Sequence, residues 1–172
     1  GPSGQVHRFD PRTGKPIVDC AASGKSNGLM FDRAGRLIAC CGANNGRMAL
    51  CEILPGGKLK VLTERFNGGR YLSPNDLVIM PDGKIYFSDP RYVGDEKEEQ
   101  DQMAVYRYDP ADGSVKLAIG ADQAEKPNGL ALSTDGKTPY VAQTNNPPDG
   151  RTTPHSFPLP RTRRPRPTKR PA

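Results

Sequence analysis

The sequence predicts an all-β chain, a partial β-propeller of four-stranded antiparallel blades. Three observations carry that prediction: an ungapped internal repeat with a period near 50 residues, four short apolar runs per period, and almost no helical periodicity. The repeat aligns residues 26–37, 74–85 and 127–138. Each copy has Asn (Asn27, Asn75, Asn128), then Leu two residues later (Leu29, Leu77, Leu130) and Gly eight later (Gly35, Gly83, Gly136). Arg36, Lys84 and Lys137 follow at the ninth position. The asparagines stand 48 and 53 residues apart, a spacing in the range of propeller blades. A Greek-key sandwich also has many short strands, but its sequence does not repeat.

Within each copy the elements follow from local chemistry. The Asn and the Gly or Asp after it open a strand beyond a turn, and the Leu begins its apolar run. Arg33-Ala34-Gly35, Pro81-Asp82-Gly83 and Thr134-Asp135-Gly136 are tight hairpin turns, with Gly where positive φ is needed. A second strand follows each turn, at residues 37–40, 85–88 and 140–142. Val6-His7-Arg8-Phe9-Asp10-Pro11 and Val105-Tyr106-Arg107-Tyr108-Asp109-Pro110 are near copies of a third strand, and 50–55 is a looser one. Gly14, Gly56-Gly57 and Gly113 then turn the chain into a fourth. Residues 1–20 thus end one blade, 26–66 and 74–120 supply two more, and 127–146 open another. About two full blades and parts of two others do not close a ring of four to eight. The expectation is a piece of a longer protein, with more chain ahead of Gly1.

Charge and proline divide the sequence at residue 146. The chain carries 25 basic and 19 acidic side chains, a formal charge of +6. Residues 1–146 are neutral, and seven bases fall in 147–172 against the single acid Asp149. This excludes reading the high pI as a basic nucleic-acid-binding domain. The same 26 residues hold eight of the 18 prolines and only Phe157, Leu159 and Ala172 from the apolar set. Such a segment buries too little apolar surface to offset its ordering entropy. Residues 147–172 are read as a disordered basic Pro/Arg-rich linker or the product of a shifted reading frame. No run approaches the roughly 20 apolar residues of a membrane helix, and no signal peptide is visible. The cytoplasm and the periplasm both stay open.

Four cysteines without a CxxC pair, and two histidines, argue against a zinc site and against a disulfide framework. Cys40 and Cys41, adjacent on a strand, should point to opposite faces. All four cysteines are expected as buried or half-buried free thiols. His7 and His155 give no Ser-His-Asp or Cys-His arrangement. The acidic run 95–101 reads as a solvated loop.

The motifs Val-His-Arg-Phe-Asp-Pro (6–11), Ser-Asn-Gly-Leu (26–29), Leu-Ser-Pro-Asn-Asp-Leu (72–77), Ile-Tyr-Phe-Ser-Asp-Pro (85–90) and Lys-Pro-Asn-Gly-Leu-Ala-Leu-Ser-Thr-Asp-Gly-Lys (126–137) together resemble the gluconolactonase family. That family includes senescence marker protein and is similar in fold to diisopropyl-fluorophosphatase and paraoxonase. The resemblance covers about 1–146. It implies a six-bladed propeller that hydrolyses a small lactone with a divalent metal, calcium above others, in its central tunnel. It implies four ligands: an early Glu, the Asn of Ser-Pro-Asn-Asp, the Asn of Pro-Asn-Gly-Leu, and a late Asp. Asn75 and Asn128 match the two middle ligands. The early Glu would fall before Gly1 and the late Asp about one blade beyond Asn128. Asp149, only 21 residues past Asn128, is too close to serve.

Calcium takes hard oxygen donors, and Asn carbonyls supply them without charge. A carbonyl polarised at such a metal would be open to water, with a carboxylate as general base. Asp89, after an inner-type strand, is the candidate base, and Asp76 reads as a turn residue. Asn27 reads first as a turn residue and is the candidate substrate contact. A non-catalytic propeller used for binding stays open as the alternative.

Overall fold

A computed structural model describes residues 4–144 and the strand at 156–158. Every regular element among them is a β-strand, and no helix is long and apolar enough to cross a membrane. The strands β1 (Val6–Asp10) and β2 (Lys15–Cys20) form a two-stranded sheet. The next four, β3 (Ser26–Phe31), β4 (Leu37–Cys41), β5 (Ala49–Ile53) and β6 (Leu59–Thr63), form an antiparallel sheet in chain order. A short hairpin, β7 (Arg65–Phe66) and β8 (Gly69–Arg70), leads to the next blade. That blade is β9 (Leu77–Ile79), β10 (Ile85–Asp89), β11 (Ala104–Tyr108) and β12 (Val115–Ile119), again in chain order. The last sheet is β13 (Pro127–Leu132), β14 (Pro139–Gln143) and β15 (Ser156–Pro158). The all-β propeller architecture read from the repeat is therefore present, with two complete blades and parts of two others.

The hairpin turns need the glycines the sequence placed there. Gly35, Gly83 and Gly136 all have positive φ, at 78°, 88° and 68°. The innermost strands are neighbours, with β9 packed between β3 and β13.

The core lies between blades, in three separate layers. Val6 and Cys20 of the first sheet pack on Ala39, Cys41 and Cys51. Ile38, Cys40 and Leu50 face Leu77, Ile79, Phe87 and Tyr106 of the next blade. Val78, Tyr86, Val105 and Ile119 face Val141, with Leu130 packed against them. Cys40 and Cys41 thus enter layers on opposite sides of one sheet, and all four thiols are free and buried. In the middle layer Tyr71 stands edge-on to Phe87, with ring centroids 5.1 Å apart.

The segment 147–172 departs from expectation at one place. Ser156–Pro158 pairs antiparallel with β14, opposite Tyr140 to Ala142. An open strand edge offers unpaired N–H and C=O groups to any extended segment within reach. The rest of 147–172 lies outside the described residues.

Candidate functional site

The three repeat asparagines sit on equivalent irregularities of the innermost strands. The register of β3 slips between Ser26 and Leu29, and that of β13 between Pro127 and Leu130. Ahead of β9, Asn75 N donates to Ser88 O at 2.9 Å, Ser88 N donates to Asp76 O at 3.0 Å, and Asp76 N donates to Ser88 Oγ at 3.1 Å. Each Asn and its successor thus form a bulge, a device that re-aims side chains at a sheet's rim.

Asp76 and Ser88 join these bulges across blades. Asp76 Oδ2 accepts from Leu130 N at 2.7 Å, and Ser88 Oγ donates to Asn128 O at 2.6 Å. On the other side Gly28 N donates to Asn75 O at 2.7 Å. A Cβ on Gly28 would stand 2.7 Å from Asp76 Cα, so only glycine permits this approach. Asp76, read as a turn residue, is also the bridge between neighbouring inner strands.

Beside the bulges lies an open cavity of about 460 Å³. Its walls are Lys25 to Asn27, the turn at 42–44, Ser73 to Asn75, and Tyr92 with Val93. Asn27 and Asn75 therefore share one cavity. Asn128 does not line it. Its Nδ2 donates to Thr144 Oγ1 at 3.0 Å, and the Tyr92 hydroxyl feels both the Thr144 and Asn128 side chains. Burial pushes the Tyr92 phenol above its ordinary value, and Lys126 Nζ lies 4.2 Å from the centre of its ring. Tyr92 connects Asn128 to the cavity that holds the other two asparagines.

Asp89 stands elsewhere. At the end of β10 it is fully buried, and it is absent from the cavity's walls. Its two oxygens accept from Leu72 N at 2.9 Å and Ser73 N at 2.6 Å. Burial pushes its carboxyl up to about 7, against the pull of those two N–H groups and Arg91. The expectation of a base at the tunnel mouth meets a carboxylate turned inward onto backbone.

The same strand end does similar work in the other blades. Gln143 Oε1 accepts from Glu125 N at 2.9 Å, and Cys41 Sγ donates to Ser23 O at 3.3 Å. In each blade the residue closing the second strand clasps the loop that leads to the Asn. Arg91, also buried, reinforces the middle clasp through Leu72 O at 2.8 Å. It also bonds Gly94 O and pairs with Glu96 at 3.1 Å, and Glu96 accepts from Asn45 N at 2.7 Å. That last bond holds the Glu96 carboxyl below its ordinary value and pins the loop carrying Tyr92 to the neighbouring blade. Part of the run read as a solvated loop is thus a brace.

Residues 2–147 match the family described as the SMP-30/Gluconolactonase/LRE-like region. The chain belongs to this family. Among relatives of the family, it is 32% identical over 126 residues to a gluconolactonase from Zymomonas mobilis subsp. mobilis, covering 70% of this chain and 34% of that protein. It is 33% identical over 92 residues to the lactonohydrolase oryL of Aspergillus oryzae, covering 51% and 21%. A solved gluconolactonase from Xanthomonas campestris superposes with a TM-score of 0.77 at 31% identity, over 91% of this chain and 51% of that one. The chain thus spans about half of that solved relative and about a third and a fifth of the two curated ones. The family match ends one residue past the boundary that composition set at 146.

Tested on donor chemistry, the site fits the family's implied metal in kind but not in charge. The amide oxygens of Asn75 and Asn128 are neutral hard donors. No group of three or more His, Cys, Asp or Glu side chains suited to a metal occurs among the described residues. Tyr92 was missed by sequence reading because it lies in an acidic loop outside the repeat. A signal was present in Tyr92-Val93, an apolar pair inside a polar stretch.

Proposed function

We propose that this chain contributes part of the site of a lactone hydrolase of the gluconolactonase type. The observation that supports it most is the set of three equivalent bulges that bring Asn27, Asn75 and Asn128 to one rim. Asn75 and Asn128 would hold a divalent ion, calcium in our reading, through their amide oxygens. When bound, such an ion polarises a lactone carbonyl toward attack by water. Asn27, exposed in the cavity, would hydrogen-bond the substrate's oxygens. Tyr92 would orient the Asn128 amide, and Asp89 would act as a positioning residue, fixing Ser73 to Asn75 by its clasp.

The chain on its own is expected to hydrolyse lactones weakly. Neutral ligands offset little of the cost of removing water from a dication. The open cavity also keeps water beside the reacting groups, which weakens electrostatic stabilisation of the transition state. Titration of the acid released from gluconolactone tests the proposal. We expect a small calcium-dependent rate, abolished by a chelator and reduced about tenfold or more in Asn75→Ala and Asn128→Ala. A rate indifferent to the chelator and to both substitutions would overturn the assignment.

A further inference from the structure

The loop from Arg91 to Gln102 holds two apolar side chains, Tyr92 and Val93, in an otherwise polar and charged stretch. Neither belongs to one of the three core layers, and they are 40% and 58% exposed. Yet the backbone that carries them is tied down on both sides. Arg91, itself buried, donates to Leu72 O, Gly94 O and Glu96 O at 2.8, 2.8 and 2.9 Å. Gly94 has a φ of 104°, and a Cβ there would stand 2.8 Å from Asn44 N and 3.1 Å from Ala43 Cβ. Only glycine lets the loop lie this close to the turn of the preceding blade. Glu96 fastens the same turn through Asn45 N. At the other end Lys126 Nζ lies over the Tyr92 ring. The apolar pair is therefore held from the 42–45 turn to Lys126.

The held pair forms one wall of the cavity that Asn27 and Asn75 share. That cavity lies between the two complete blades, β3–β6 and β9–β12, so packing inside the chain sets the pair's place in it. Ala43 and Pro74 add further apolar surface to its walls. Its volume of about 460 Å³ suits a ligand larger than a bare lactone ring. Hydroxyl groups on such a ring would be served by the amides of Asn27 and Asn44, and would gain nothing from Tyr92 and Val93. A carbon substituent would take both apolar side chains out of water and leave water with them.

We propose that Tyr92 and Val93 are specificity-determining residues that select a lactone carrying an alkyl substituent on its ring. The choice of a lactone rests on the function proposed above, and the choice of an alkyl group rests on the apolar wall alone. The ring would sit at Asn27 and Asn75, with the substituent along Tyr92 and Val93. Arg91 and Glu96 fix the loop's backbone before the ligand arrives. Binding then orders little of the chain, and little of the gain from burial is lost to ordering.

Binding of δ-lactones, and of the matching cyclic ethers that lack the carbonyl and cannot be hydrolysed, tests it. Each ring is used bare and with a butyl group. Nuclear magnetic resonance of the Tyr92 ring in the whole chain reads the dissociation constants, and acid release from the lactones is followed separately. With about half of each methylene's surface covered, the butyl group should tighten binding about tenfold, for lactone and ether alike. Val93→Ser, at an exposed position, should bind the bare rings as before and lose most of that tenfold, while Val93→Leu should keep it. Equal binding of the bare and butyl rings would overturn the proposal, as would a gain that survives Val93→Ser. Acid release without the butyl gain sinks this inference alone. The gain in the ethers without any acid release upholds the apolar wall and sinks the lactone reading alone.

Discussion

At Asp89 the residue type and its place on the strand were both legible in the sequence, but its direction was not. An Asp closing a strand before a Pro-containing loop suits a rim carboxylate and a backbone clasp equally well. Only the positions of Leu72 N and Ser73 N decide between them. The clasp carries a pH signature. Burial raises the Asp89 carboxyl to about 7 in the folded chain, above its ordinary 3.8. The folded state therefore binds this proton more tightly than the unfolded state. The favourable contribution is full below the ordinary carboxylate range and is lost as pH rises through about 7. Stability measured by urea unfolding should decline between pH 4 and pH 7 by a component missing from Asp89→Asn. The Asn amide also sets an NH₂ against one of two backbone donors, so Asp89→Asn should cost about 1–3 kcal/mol at pH 5. Equal pH slopes for the two proteins would show that the carboxyl titrates as it does in water.

Among elements, what repeats was readable and what differs between repeats was not. The strands, the hairpin glycines and the four-stranded order follow from alternation and turn chemistry that recur at a fixed period. The brace from Arg91 through Glu96 to Asn45 occurs once, so no second copy marks it. Its glutamate is hidden among acids that look equally solvated. The bulges fall between these cases. Asn followed by Gly or Asp signals an irregularity, but not that β3 and β9 approach to the limit of contact at Gly28. Gly28→Ala should therefore destabilise the chain by about 1–3 kcal/mol, since its Cβ would strike the backbone of Asp76. Gly35→Ala should cost about 1 kcal/mol through its positive φ alone, because nothing lies within 4 Å of the added carbon. Thermal unfolding compares the two. An equal cost would mean that the inner strands separate freely to admit a methyl group.

For the whole molecule, residues 1–146 are neutral and the excess charge lies beyond them. Composition could not foresee a strand at 156–158, because a three-residue pairing depends on an edge that β14 happens to leave open. The amide set at the rim is likewise a property of the assembled blades: three distant asparagines become neighbours only when β9 packs between β3 and β13. Our central proposal is that Asn75 and Asn128 would supply the amide ligands of a divalent ion. The most direct test follows the side-chain amide resonances of all asparagines by nitrogen-15 NMR during a calcium titration. We expect those of Asn75 and Asn128 to shift together at roughly millimolar calcium, the weak end of protein calcium sites, while Asn67, in the β7–β8 hairpin, stays still. Shifts confined to the acidic run 95–101, or none at Asn75 and Asn128 at about 10 mM calcium, would contradict the claim.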